Sequence, residues 1–133
     1  MHKAPAQSER ELMRDIQLAL SDVRDLRLWR ANVGRGWISE AAPLRTMVQG
    51  IVTITLTNAR PFDTGLPEGF PDLFGFIGSP SLVPVPVFIE VKSAVGRVSP
   101  KQQKFIDAAR AAGCLAGVAR SVEDALRIVR GRP

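Results

Sequence analysis

The chain has 133 residues, 45% of them hydrophobic and 23% charged, with 18 Lys+Arg against 13 Asp+Glu for a formal charge of +5, the proportions of one soluble globular domain. A single cysteine, Cys114, excludes an intramolecular disulfide and a cysteine-clustered zinc site; a single histidine, His2, at a terminus argues against Ser-His, Cys-His and His-metal chemistry; and the lack of tyrosine excludes DNA cleavage through a tyrosine nucleophile. No apolar run approaches the roughly 18 residues of a membrane span and no signal-peptide layout is present, so a cytoplasmic protein that makes no membrane contact is expected.

Residues 1–7 read as a flexible lead-in. Ser8-x-x-Glu11 is a capping-box pattern, and Leu12, Ile16, Ala19, Leu20 and Val23 follow at helical spacing, so a helix is expected to about Asp25. Leu26 to Gly34 reads as a short strand. Val52, Ile54 and Leu56 alternate with threonines, the pattern of a half-buried strand, paired with Leu44–Val48 through Gln49-Gly50. Residues 58–71 hold Pro61, Gly65, Pro67, Gly69 and Pro71, which predicts an ordered loop. Asp72–Ile77 is a short strand, and Val87–Lys92 is the strongest one, with pairing expected only after Pro86 because proline has no N–H for the ladder.

Ser99-x-x-Gln102, with Pro100 at the first helical position, opens another helix whose apolar stripe is Phe105, Ala108, Ala109 and Ala112 and which Gly113 stops. Cys114–Ala119 is a small-residue strand, with Cys114 a core residue. Ser121-x-x-Asp124 opens a last helix with Val122, Ala125, Leu126 and Val129 inward. This order predicts an α/β (α+β) fold, a mixed β-sheet flanked by helices, in a single domain of residues 8–131.

Glu90 and Lys92 are two apart in a strand, so both leave one face while Val87, Ile89 and Val91 face the core. An E-x-K pair alone is an ordinary ion pair. Asp72, delivered by a Gly/Pro-rich loop to the start of the neighbouring strand, approaches Glu90 if the two strands pair. Carboxylates that close repel unless a divalent cation lies between them, and Asp, Glu, a backbone carbonyl and water form an oxygen set suited to Mg²⁺ or Mn²⁺. Lys92 beside such an ion would position and help deprotonate a water or balance charge on a phosphate.

Pro71-Asp72 followed by Glu90-Val91-Lys92 resembles the PD-(D/E)xK nuclease signature. Arg30-x-Asn32-x-Gly34, Gly69-Phe70-Pro71-Asp72-Leu73, Phe88 to Ser93, Gly96-Arg97-Val98-Ser99-Pro100-x-Gln102-Gln103 and Val118 to Ser121 make the chain similar to the stand-alone phage and bacterial VRR-NUC (virus-type replication-repair nuclease) domains. The resemblance spans about residues 8–130. It implies a restriction-endonuclease-like fold and metal-dependent hydrolysis of DNA. Asp72, Glu90 and the Val91 carbonyl are then metal ligands, Lys92 is the catalytic lysine, a helix-borne glutamine falls on Gln103, and the first helix supplies an acid. It also implies a homodimer acting on branched DNA such as four-way junctions. The alternative is a catalytically silent nucleic-acid-binding module with the same fold. Residues 35–68 are longer than in shorter relatives and hold either substrate contacts or a dimer strand.

Of the two acids in the first helix, Glu11 is already engaged by the capping box, so Glu9 is expected to complete the metal site directly or through water. Fourteen of the 18 cations are Arg, and from Lys92 to Ile106 there are four cations and no acid. That stretch makes Arg97, Lys101 and Lys104 candidates for phosphate contacts, and Arg30 and Asn32, on one side of their strand, are weaker candidates. Trp29 and Trp37 belong either to the core or to base stacking.

Overall fold

The computed structural model describes residues 6–131; His2 and most of the expected lead-in lie outside them. Two compact units form, one from the chain up to Ala31 and from Glu68 onward, the other from Asn32–Pro67. No helix among the described residues is long and apolar enough to cross a membrane.

The first unit is built on a four-stranded mixed sheet. Its elements are α1 (Glu9–Ser21), β1 (Leu26–Arg30), β6 (Leu73–Ser79), β7 (Leu82–Val91), α2 (Pro100–Ala111), β8 (Leu115–Ala119) and α3 (Val122–Val129), with sheet order β1-β6-β7-β8. β1 with β6 and β6 with β7 are antiparallel, whereas β7 and β8 run parallel, with α2 as their crossover. The three helix starts are local in origin. Ser8 accepts from the Glu11 N–H while Glu11 accepts from the Ser8 N–H, Ser99 and Gln102 do the same, and Ser121 accepts from Asp124.

The alternation of β7 divides the core. Val87, Ile89 and Val91, all fully buried, pack with Leu12, Ile16 and Leu20 of α1 and Ala125 and Val129 of α3. Phe88 faces the other way, onto Ile106, Ala109 and Phe105 of α2. Burying one such aliphatic side chain contributes about 1.5–3 kcal/mol.

Several expected boundaries move. α1 stops at Ser21 rather than near Asp25, and β1 at Arg30 rather than Gly34. β7 begins at Leu82, and Pro86 pairs with Phe76, so pairing starts before the prolines end. β8 reaches β7 only from Val87, which leaves Pro84 and Pro86 on an edge stretch where a missing N–H breaks no ladder.

The second unit contains β2 (Arg35–Ile38), β3 (Leu44–Val48), β4 (Ile51–Thr55) and β5 (Arg60–Asp63). β3 and β4 form the expected hairpin, and Gln49 and Gly50 have positive φ of 49° and 78° at its turn. Its strands are exposed throughout rather than half-buried. Part of the expected loop 58–71 is strand β5, paired with β2, and Asp63 holds the Arg35 guanidinium at 2.8 Å.

Candidate active site

Pro71, fully buried, carries the chain into β6. Gly69 before it has φ +89°, and a Cβ there would lie 2.7 Å from the Lys101 carbonyl, so glycine alone lets this loop rest on the first turn of α2. Glu68 also pairs with Lys101 across that contact. Leu73 is opposite Ile89 in the register, and one residue further along each strand Asp72 comes beside Glu90. Asp72 Oδ2 accepts the Val91 N–H at 2.9 Å, and the Asp72 carbonyl accepts the Ala31 N–H at 2.8 Å.

Glu90 is 1% exposed, a buried acid beneath α2. Its Oε1 is crowded: Lys92 Nζ lies at 2.9 Å and Gln102 Nε2 at 2.5 Å. Its Oε2 is buried with no hydrogen-bond partner. Burial drives the Glu90 carboxyl above its ordinary pKa against the hydrogen bond from Lys92, and the charge of Asp72 pushes it further up. Burial pulls on the Lys92 ammonium in the opposite sense, but its hydrogen bond to Glu90 and the charges of Glu90, Glu9 and Asp72 outweigh it, so Lys92 is raised and stays protonated.

A buried carboxylate oxygen without a donor is costly. An arriving cation satisfies it and relieves the repulsion from Asp72, and oxygen-only donors suit a hard ion. The residues therefore fit a divalent metal. Among the described residues no group of three or more His, Cys, Asp or Glu side chains is clustered for one, so Asp72 and Glu90 would need backbone or water oxygens to complete the set.

Glu9, at the start of α1, is exposed, and its Oε2 accepts the Ser93 N–H at 3.4 Å just beyond Lys92. Glu11 is turned away: its carboxylate takes the Ser8 N–H at 2.9 Å, and Ser8 holds its pKa low. The loop after Lys92 is pinned by Arg120, which donates to the carbonyls of Ser93 at 2.6 Å and Gly96 at 2.8 Å.

The two neighbouring glutamines of α2 are placed differently. Gln103 is exposed and donates to Asp107, whereas Gln102 both caps α2 and reaches Glu90. The buried residues of α2 are Ile106 and Ala109, while Ala108 and Ala112 are exposed. The spacing Gln102, Ile106, Ala109 is i, i+4, i+7, a helical face that the alanine-based stripe obscures. Arg97, Lys101 and Lys104 are exposed, as are Arg30 and Asn32, the last of these in the second unit. Trp29 and Trp37 are 50% and 65% exposed, so neither is a core residue.

No curated protein and no solved structure matches this chain. Residues 59–123, which include Asp72, Glu90, Lys92 and Gln102, match the model of the VRR-NUC domain. The mixed sheet flanked by helices is a restriction-endonuclease-like architecture, and residues 59–123 carry the match to the VRR-NUC domain, a nuclease-type family.

Proposed function

We propose that residues 8–131 form one metal-dependent deoxyribonuclease domain, with 32–67 as an insertion, that hydrolyses phosphodiester bonds in branched DNA such as four-way junctions. The observation that carries the metal is the partnerless, buried Oε2 of Glu90 beside Asp72. Asp72, Glu90 and the Val91 carbonyl would hold Mg²⁺ or Mn²⁺, with Glu9 completing the set directly or through water. Such an ion supplies an activated water and positive charge at the scissile phosphate. Lys92, beside Glu90 at 2.9 Å, positions and helps deprotonate the attacking water or balances charge growing on that phosphate. Gln102 fixes the Glu90 carboxylate. Arg97, Lys101 and Lys104 bind the DNA backbone. The branched substrate, the homodimer and the cytoplasmic setting rest on the family resemblance and on composition.

A cleavage panel of linear, nicked, flapped and four-way DNA with Mg²⁺ or Mn²⁺ tests this. Cutting is expected only with metal, fastest on the branched substrates, and absent in Asp72→Asn. Metal-independent cutting, or an active Asp72→Asn, refutes the metal site. Salt-sensitive binding with no cutting of any substrate refutes the nuclease and leaves a binding module.

A further inference from the structure

The face of the sheet that carries Asp72 and Glu90 continues across β6 and β1 as a row of aromatic rings. Alternation places Phe74 and Phe76 on the side of Asp72, and the register sets Trp29 opposite Phe74 and Arg27 opposite Phe76. Phe70 bridges the row to α2, edge-on to Phe74 at 5.5 Å and to Phe105 at 5.2 Å. Trp29 packs at 6.2 Å from Phe74 and 5.8 Å from Phe76. α2 covers the rings nearest β7, but Trp29 and Phe76 remain 50% and 41% exposed.

Isolated exposed apolar residues are ordinary; two adjoining aromatic rings on a rigid sheet, in line with a candidate active site, form a surface that excludes water for something. Its chemistry selects the occupant. On this face β1 and β6 carry one charged side chain, Arg27, since Arg30 alternates to the other face; the acids of the face, Asp72 and Glu90, lie at its candidate-site end. Flat exposed rings with a guanidinium beside them complement flat bases on an anionic backbone. Along a strand the rise is about 3.3 Å per residue, which puts the Trp29–Phe74 pair roughly 7 Å from Asp72 and Phe76 roughly 13 Å away. Those are distances a nucleotide or two from the bond to be cut can span. A duplex keeps its bases stacked on each other, so only unpaired bases can use the rings.

We infer that Trp29 and Phe76, with Arg27 beside them, are a stacking shelf for unpaired bases next to the scissile phosphate, so that the substrate carries single-stranded nucleotides there. This rests on the nuclease reading and narrows its substrate.

The test uses the full chain carrying Trp37→Phe, which leaves Trp29 as the only tryptophan. It is titrated, in chelator, with an oligothymidylate and separately with a blunt duplex of the same length. The single strand is expected to quench Trp29 emission at concentrations where the duplex does not. Affinity for the single strand should fall about tenfold in Phe76→Leu and in Trp29→Leu measured by anisotropy, with Trp29→Phe within about threefold of the parent. Thermal melts identify folded variants, and Phe76→Leu carries the test if Trp29→Leu does not fold. Equal response to duplex and single strand, or unchanged affinity in Phe76→Leu, overturns the shelf. So does emission that shifts with protein concentration and ignores DNA, which marks the rings as a protein interface. Metal-dependent cleavage of the same DNAs is scored in parallel. Quenching without cleavage by any substrate refutes the nuclease alone, and cleavage without quenching refutes the shelf alone.

Discussion

Glu90→Gln separates a metal site from a structural ion pair. Were Glu90 present only to neutralise Lys92, its replacement would remove one member of a pair whose side chains are 2% and 14% exposed, and loss of one partner from such a pair costs about 3–5 kcal/mol. In a domain of this size that lowers Tm by roughly 10–20 °C. The geometry leads to another result. Lys92 keeps the charges of Glu9 and Asp72 near it, and a glutamine amide at the Oε2 position replaces a buried, partnerless oxygen with a donor turned to a site where Asp72 supplies negative charge. The metal-free variant is therefore expected within about 1 kcal/mol of wild type. Mn²⁺ at a hundred times its dissociation constant should stabilise wild type by about 2.7 kcal/mol, and should leave Glu90→Gln unmoved. Circular-dichroism melts in chelator and in Mn²⁺ measure both. A variant that melts 10 °C or more low in chelator and still gains stability from Mn²⁺ would show that the ion pair is the whole role.

Lys92→Met should bind Mn²⁺ by calorimetry as wild type does, yet slow single-turnover cleavage about 10²–10³-fold, because its charge acts on the transition state; a rate within about twofold contradicts that. Gln102→Ala should both lower Tm and slow cleavage, while Gln103→Ala changes neither, and the reverse pattern would restore Gln103 to the site. Glu9→Gln is expected to slow cleavage with Tm unmoved, whereas Ser8→Ala keeps activity and loses about 1 kcal/mol through the cap. The Ser8 contribution also has a pH signature. Glu11 is held below its ordinary value of 4.5 in the folded chain, so the stability it brings is present above 4.5 and drains away as pH falls through the lowered value; urea titrations from pH 7 to 3 should show the gap between wild type and Ser8→Ala narrowing at the acid end, with the bond from the Glu11 N–H to the Ser8 hydroxyl keeping it open. A triple Ala variant of Arg97, Lys101 and Lys104 should flatten the salt slope of DNA binding by about 0.9 per lost phosphate contact, and an unchanged slope places the DNA elsewhere.

What was legible in the sequence was what is local. The capping boxes at Ser8 and Ser99 depend on side chains three residues apart and form as read. The Gln49-Gly50 turn fixes its hairpin for the same reason. The approach of Asp72 to Glu90 follows from one antiparallel pairing between neighbouring strands. Pairings across a longer separation left no such trace. β2 and β5 are 4 residues each and almost wholly exposed, and Gly36 and Pro61 interrupt the alternation that marks a strand. The Gln102 contact was hidden by a different cause: a glutamine that explains its own capping position gives no sign that its second polar atom is used elsewhere. Trp29 was undecidable because its burial depends on where α2 stops covering the sheet.

The division of the chain has a thermodynamic consequence for how such a domain can vary. β1 and β6 are antiparallel neighbours, and the Ala31 N–H is tied to the Asp72 carbonyl, yet the 36 residues of Asn32–Pro67 separate them in sequence. Closing a loop of that length instead of a four-residue hairpin turn costs only about 2 kcal/mol in chain entropy. To the four-stranded sheet, the length of the intervening segment is therefore nearly a free variable. In sequence the segment ends at Pro67, five residues before Asp72. Lengthening, shortening or exchanging that segment therefore leaves the core of α1, β7 and α3 as it stands.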